Sequence, residues 1–282
     1  MSKQMQIAAC KVRMGIIEGV YNAKCGHPGG SLGVADMLTF LYMSHMNIAP
    51  NNPDDPNRDR FVLSKGHNAP ALYSVLAQRG YFDVEELKTL RKIGSRLQGH
   101  PVLNATLGID FSTGSLGQGI SAACGMALAG KKSALSYRVY AVLGDGEIQE
   151  GQVWEAAMFA AHYKLDNLIA IVDNNDLQID GSVSEVMSPY PLDAKFAAFG
   201  WEVICIDGHD FSQIEEAMNK AKQNFGGGKP TMIIQKSIKG KGVSFMENQV
   251  SWHGAAPNKE QYDTAMAELN AELARLEGSV QK

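Results

Sequence analysis

No stretch of this 282-residue sequence approaches the roughly 18 consecutive apolar residues that a membrane-spanning helix needs. The N-terminal segment carries charges throughout and lacks the apolar core of a secretory signal. Neither sign of charge dominates. The net charge of −4 argues against a nucleic-acid surface and against electrostatic attachment to a membrane. Cysteine is scarce: Cys10, Cys25, Cys124 and Cys205 form no CxxC pair, and three of them sit in apolar patterns. Buried, reduced thiols in a cytoplasmic protein are the expectation. No internal repeat or low-complexity linker divides the chain, so one domain over 1–282 with loosely ordered termini is expected.

What is present is an ordinary globular balance, 45% apolar and 20% charged, enough to bury a large core. Residues 4–25 and 31–46 carry helical patterns, followed by a polar loop with three prolines over 50–60. Short β-rich runs then appear at 60–63, 137–143, 168–172, 201–206 and 230–235. Helical patterns at 68–79, 116–130, 150–163 and 211–224 lie among them, and the last thirty or so residues are again helical. This alternation predicts an α/β fold of three layers, a mostly parallel sheet with helices on both faces. The runs VYAVL and LIAIV are apolar throughout, as strands covered on both sides should be.

Polar and ionisable residues follow each run: Ser64-Lys65-Gly66-His67, Gly144-Asp145-Gly146, Asp173-Asn174-Asn175, Asp207-Gly208-His209 and Lys236-Ser237. In an open α/β sheet the carboxyl ends of the strands form the ligand-binding edge. The stretch AVLGDGEIQEG, from Ala141 to Gly151, is unusual there, because its glycine turn holds acids and no lysine. A carboxylate beside a phosphate requires a cation between them. Gly144 and Gly146 would let backbone N–H groups approach a diphosphate, while Asp145 would bind a bridging divalent ion. Magnesium suits that task, since it prefers a few carboxylate, phosphate and water oxygens. A helix starting near Gln149 would point its positive end into the same pocket. The second strand end, Asp173 to Leu177, follows thirty positions later, the length of one helix and one strand. It could add an amide oxygen and a backbone carbonyl to the ligand set. Two commoner phosphate motifs fail: GMALAGKK has Lys132 where a Walker motif needs Ser or Thr, and the loose GxGxxA at Gly117 follows no strand.

GDG followed by NN about thirty residues later resembles the thiamine diphosphate motif, and the surrounding detail resembles transketolase. Gly26 to Gly33 is similar to the family's GHPG segment, Leu63 to His67 to its SxGH segment, and Gln98 to Pro101 to its GHP segment. Thr113 to Gly119 resembles TGPLGQG, with Ser115 in place of proline. Gly144 to Gly151, Asn175 to Gly181, Lys239 to Gly242 and Trp252 to Gly254 match the remaining segments. The resemblance implies a thiamine diphosphate-binding fold with Asp145, Asn175 and the Leu177 carbonyl on magnesium, calcium or manganese being possible substitutes. It implies cofactor contacts from His67, Gly114, Ser115, Leu116, Gly144, Asp145, Gly146, Glu147, Asn175 and His253. Glu150 and Glu155 match acidic residues at the family's subunit interface. His27, His67, His100 and His253 match histidines around the reactive carbon and the donor sugar. Imidazoles that titrate near neutral pH would suit proton transfer on a polyol.

In the family this segment is the diphosphate-binding part, and a pyrimidine-binding domain and a C-terminal domain follow. Nothing after His253 has the length or pattern of either. The resemblance therefore implies the N-terminal subunit of a split transketolase, working with a separately encoded C-terminal subunit in an α2β2 heterotetramer. The implied reaction moves a two-carbon ketol unit from a ketose phosphate of the pentose phosphate pathway to an aldose phosphate acceptor. An unusual ketose phosphate or a sulfosugar would leave the same pattern in this chain. The α subunit of a 2-oxo acid dehydrogenase shares GDG and NN but is not expected to carry GHPG, SKGH and WHG together. A deoxyxylulose phosphate synthase is expected as one long chain. A non-catalytic paralogue is expected to have lost Asp145, Asn175 or several of the histidines, and none is lost.

Overall fold

A computed structural model describes residues 2–278. The apolar runs form five strands, β1 (Arg60–Leu63), β2 (Val139–Gly144), β3 (Leu168–Asn174), β6 (Glu202–Asp207) and β7 (Thr231–Lys236). They pair in parallel throughout, in the order β1-β2-β3-β7-β6. Between β3 and β6 lie a two-stranded antiparallel ribbon, β4 (Leu177–Gln178) with β5 (Gly181–Ser182), and two short helices, α7 (Val183–Met187) and α8 (Leu192–Ala198). The other helices are α1 (Ser2–Ala23), α2 (Pro28–Gly33), α3 (Ala35–Phe40), α4 (Ala69–Arg79), α5 (Gln118–Lys132), α6 (Gly151–His162), α9 (Phe211–Gln223) and α10 (Lys259–Gly278).

Side chains alternate across each strand, so two cores form. Tyr140, Val142, Ile169, Ile171 and Ile233 face one layer, built from α1, α3, α4, α9 and α10. Val139, Ala141, Leu143, Leu168, Ala170, Val172 and Met232 face the other, built from α5, α6 and α8. Each fully buried Leu or Ile contributes about 1.5–3 kcal/mol, so coverage on both faces accounts for the unbroken apolar runs.

Several expectations need correction. The predicted helix over 31–46 is broken into α2, α3 and a π-helical turn, Leu41–His45. The break falls at Val34, whose φ of −92° and ψ of 1° leave the helical region. Proline at the start of α2 sets that helix earlier than expected. The helices α7 and α8 were not expected. Strand and helix ends shift by one or two residues. Cys10 and Cys124 are buried, but Cys25 and Cys205 are exposed, and all four are free. The expectation of loosely ordered termini falls on Met1 and 279–282, outside the described residues; Ser2 onward and the residues up to Gly278 are helical.

Candidate functional site

The carboxyl ends of β1, β2, β3 and β7 open into one cleft of about 300 Å³. Lys65, His67 and Asn68 reach it from β1, Gly144 to Glu147 from β2, Asn175 and Leu177 from β3, and Lys239 from β7. His27, Gly114, Leu116 and His253 complete the wall from loops and the start of α2. Strand register explains the first convergence. Gly144 on β2 lies opposite Asp173 on β3, so the GDG and DNN turns stand side by side.

Asp145 is 2% exposed. Its Oδ1 accepts from the Gly146 N–H at 2.9 Å and its Oδ2 from the Asp176 N–H at 2.5 Å. Burial, and next the Asp173 carboxylate, push its pKa up to about 6. The neighbouring ammonium of Lys65 pairs with Asp173 instead. The Asn175 side-chain oxygen accepts from the Leu177 N–H at 3.0 Å, and the Leu177 carbonyl accepts from Lys239 Nζ at 2.8 Å. The cleft therefore holds a buried carboxylate with no ammonium of its own, beside an amide oxygen and a carbonyl oxygen. That hard-oxygen donor set fits magnesium. The expected glycine N–H groups are engaged elsewhere: Gly144 N–H donates to Glu147 Oε2 and Gly146 N–H to Asp145. Acids three and one positions away outcompete solvent for these donors. Glu147 in turn ties three loops together, accepting also from the Ser64 hydroxyl and the Gly117 N–H. The helix expected to start near Gln149 is α6, which begins at Gly151; a 3₁₀ turn, Gly146–Gln149, comes just before it.

Three of the four expected histidines pack together. Ring centroids lie 5.2 Å apart for His27–His67, 5.6 Å for His27–His253 and 5.3 Å for His67–His253. None titrates near neutrality. Burial first, then Arg91, lowers His27 to about 4; burial first, then Lys239, lowers His253 to about 3. His67 is lowered well below its usual value by burial and by Lys65. These rings are neutral and weakly basic, suited to making hydrogen bonds rather than to taking up a proton near neutral pH. His100 and Ser115 do not line the cleft; both are exposed in rim loops, with the His100 ring beside Gly114. Glu150 lines the cleft edge, whereas Glu155 stands exposed on α6, with Met158, Phe159 and Tyr163 exposed nearby.

Sequence reasoning missed three charged residues. Lys65 and Asp173 form an ion pair with side chains 3% and 0% exposed. Asp173 also accepts from Gln235 and Ser237. Burial alone would raise its pKa, but Lys65 and these donors hold it below the usual carboxylate range. Lys239, 2% exposed, joins the Leu177 carbonyl to His253 Nδ1 at 2.8 Å. Burial, and next Lys65, lower its pKa to about 8. The signal available was position alone, since all three stand at or just past strand ends.

Comparison with known proteins agrees with this architecture. Residues 4–274 match the family model described as transketolase, thiamine diphosphate binding domain. The 6-deoxy-6-sulfo-D-fructose transketolase subunit SqwG of Clostridium sp. (strain MSTE9) is 47% identical over 96% of this chain and 98% of its own length. One of the apulose-4-phosphate transketolase subunits of Phocaeicola vulgatus is 41% identical over 97% of this chain and 96% of its own length. Human transketolase is 42% identical over 94% of this chain, which spans only 42% of that protein. The structure of transketolase from Leishmania mexicana superposes with a TM-score of 0.88 at 31% identity, covering 98% of this chain and 45% of the other. The chain belongs to the transketolase family and carries its thiamine diphosphate binding domain.

Proposed function

We propose that this chain is the diphosphate-binding subunit of a two-chain transketolase that moves a two-carbon ketol unit from a ketose donor to an aldose acceptor. The observation that carries the reading is the meeting of Asp145, Asn175, Leu177 and three mutually packed histidines in one cleft. Asp145, the Asn175 amide oxygen and the Leu177 carbonyl would hold magnesium, and the ion would anchor a diphosphate. Gly114, Leu116 and the residues after β2 would line the cofactor's path. When bound, thiamine diphosphate supplies the electron sink on which a ketose carbon–carbon bond can break.

The chain's own groups handle protons and charge. Lys239 donates to His253 Nδ1, so the hydrogen of that neutral ring sits on Nε2 and can be donated to a sugar oxygen. The buried Nδ1 of His27 has no hydrogen-bond partner among the described residues. An anionic diphosphate would raise the pKa values of all three rings toward neutrality, where proton transfer is most effective.

A separately encoded polypeptide would supply the pyrimidine-binding half. Glu150, Glu155 and the exposed apolar residues of α6 would form the interface, in an α2β2 assembly in the cytoplasm. A sugar phosphate is the default donor. The 47% identity to a relative named for 6-deoxy-6-sulfo-D-fructose favours a second donor class, a sulfosugar.

The test is isolation of the native partner, then titration of the complex with thiamine diphosphate and magnesium. Asp145→Ala is expected to weaken cofactor binding at least tenfold, since even outer-shell losses at metal sites cost about 10–100-fold. Unchanged affinity and transfer rate in that variant would refute the site. Comparing kcat/KM for sulfofructose and fructose 6-phosphate separates the two donor classes.

A further inference from the structure

His209 follows β6, yet it points away from the cleft, toward α1 and α3. Its Nδ1 lies 2.7 Å from Asp36 Oδ2, and its Nε2 accepts the Ile238 backbone N–H at 2.9 Å. A backbone N–H can only donate, so Nε2 is unprotonated and the ring hydrogen sits on Nδ1, facing the carboxylate. Asp36, 4% exposed, also accepts from both terminal guanidinium nitrogens of Arg13, at 3.0 and 2.6 Å. Arg13 Nε donates to the Lys241 carbonyl at 3.0 Å. This buried network therefore grips the 238–241 loop at two points, one on each side of Lys239. The same loop turns sharply at Gly240, where φ is +84° and an added Cβ would lie 2.2 Å from the Met246 carbonyl. Held this way from behind, the loop presents the Lys239 ammonium to the Leu177 carbonyl and to His253.

We propose that Arg13, Asp36 and His209 act as positioning residues that set the Lys239 ammonium in the cofactor cleft, so that bonds behind the loop govern how tightly the cleft binds an organic diphosphate. The proposal rests on the reading of the cleft as a thiamine diphosphate site. None of the three lines the cleft, and His209 Nε2 is occupied by the Ile238 N–H, so the Asp–His pair is not arranged as a base. Its role is geometric. A lysine has four rotatable side-chain bonds, and burial of its stem fixes the amine only if the backbone beneath is itself fixed.

The experiment uses the full chain in complex with its partner chain and reads the dissociation constant of thiamine diphosphate at saturating magnesium. His209→Ala is expected to raise it about tenfold, the scale of coupling within one hydrogen-bond network. His209→Gln places an oxygen near the position of Nε2, restores the acceptor for the Ile238 N–H, and is expected to recover most of the affinity. His209→Asn keeps the donor toward Asp36 but does not reach Ile238, and is expected to stay weak. In a Lys239→Ala background, His209→Ala is expected to add no further loss. Wild-type affinity in His209→Ala, equal rescue by Gln and Asn, or additive losses in the double variant would each overturn the proposal. If His209→Ala does not fold, the Gln and Asn pair, matched for melting temperature, decides it. A wild-type complex that binds no thiamine diphosphate overturns the reading of the cleft itself, and this proposal with it.

Discussion

At the scale of single residues, the buried Lys65–Asp173 pair dominates the electrostatics of the cleft. Removing one member of such a pair leaves an uncompensated charge, at a cost of about 3–5 kcal/mol. Lys65→Ala is expected to lose that much in chemical denaturation, while Lys65→Arg loses less. His45 works in the opposite sense. Burial, and next Lys222, lower its pKa from 6.5 to about 3, and its ring packs on Phe40 and Tyr140. The native ring stays neutral while the unfolded chain takes up a proton, so stability falls as the pH drops from about 6.5 toward about 3. The slope from this group is about 1.4 kcal/mol per pH unit. His45→Phe is expected to flatten that acid limb in melting curves recorded between pH 7 and 4; an unchanged limb would show that another group sets it. Asp145 and Asn175 were legible in the sequence because each ends an apolar run. The Lys65–Asp173 pair was not: its members lie 108 positions apart, and nothing in the pattern near either one marks the other as its partner. The pKa values of the histidines were illegible for the same reason, since burial and neighbouring ammonium groups set them.

At the scale of elements, the turns after the strands are as constrained as the strands themselves. The Gly66 backbone passes so close to the 113–114 segment that an added Cβ would lie 2.7–2.9 Å from Thr113 Oγ1, Gly114 N and Thr113 C. Two of these three atoms are backbone and cannot rotate away. Gly66→Ala is expected to cost about 1–3 kcal/mol, as overpacking does, and to weaken thiamine diphosphate binding, because His67 is the next residue. A melting temperature and affinity equal to wild type would contradict this tight contact. The sequence showed the five strands of the parallel sheet but not the β4–β5 ribbon, because β-rich apolar runs of four to seven residues stand out against their polar ends while two-residue strands do not. It concealed the break at Val34, since the apolar spacing continues through α3 and only the backbone departs from the helix. It also concealed α8, a seven-residue helix preceded by prolines at 189 and 191. So short a helix forms through tertiary packing of Leu192 and Phe196 rather than through propensity.

At the scale of the whole molecule, a sheet covered on both faces leaves its carboxyl edge as the place where loops from distant parts of the chain meet. That placement was legible, because only the pattern of strand ends was needed. The outer face of α6 was not, since exposure depends on what packs around the helix. Met158 is 53% exposed and Tyr163 45%, costly surface unless something covers it. Met158→Glu is expected to lower the mass of the reconstituted complex in sedimentation without changing the melting temperature of this chain. An unaltered mass would remove α6 from the interface. The strand order carries one more consequence. The last strand of the sheet to leave the ribosome, β7, is an interior one, bonded on one side to β3 and on the other to β6. A nascent chain that has not yet reached Thr231 holds two open, apolar strand edges with nothing between them. During that interval the growing polypeptide is most open to aggregation, and a chaperone holding it then would be guarding a gap rather than an end.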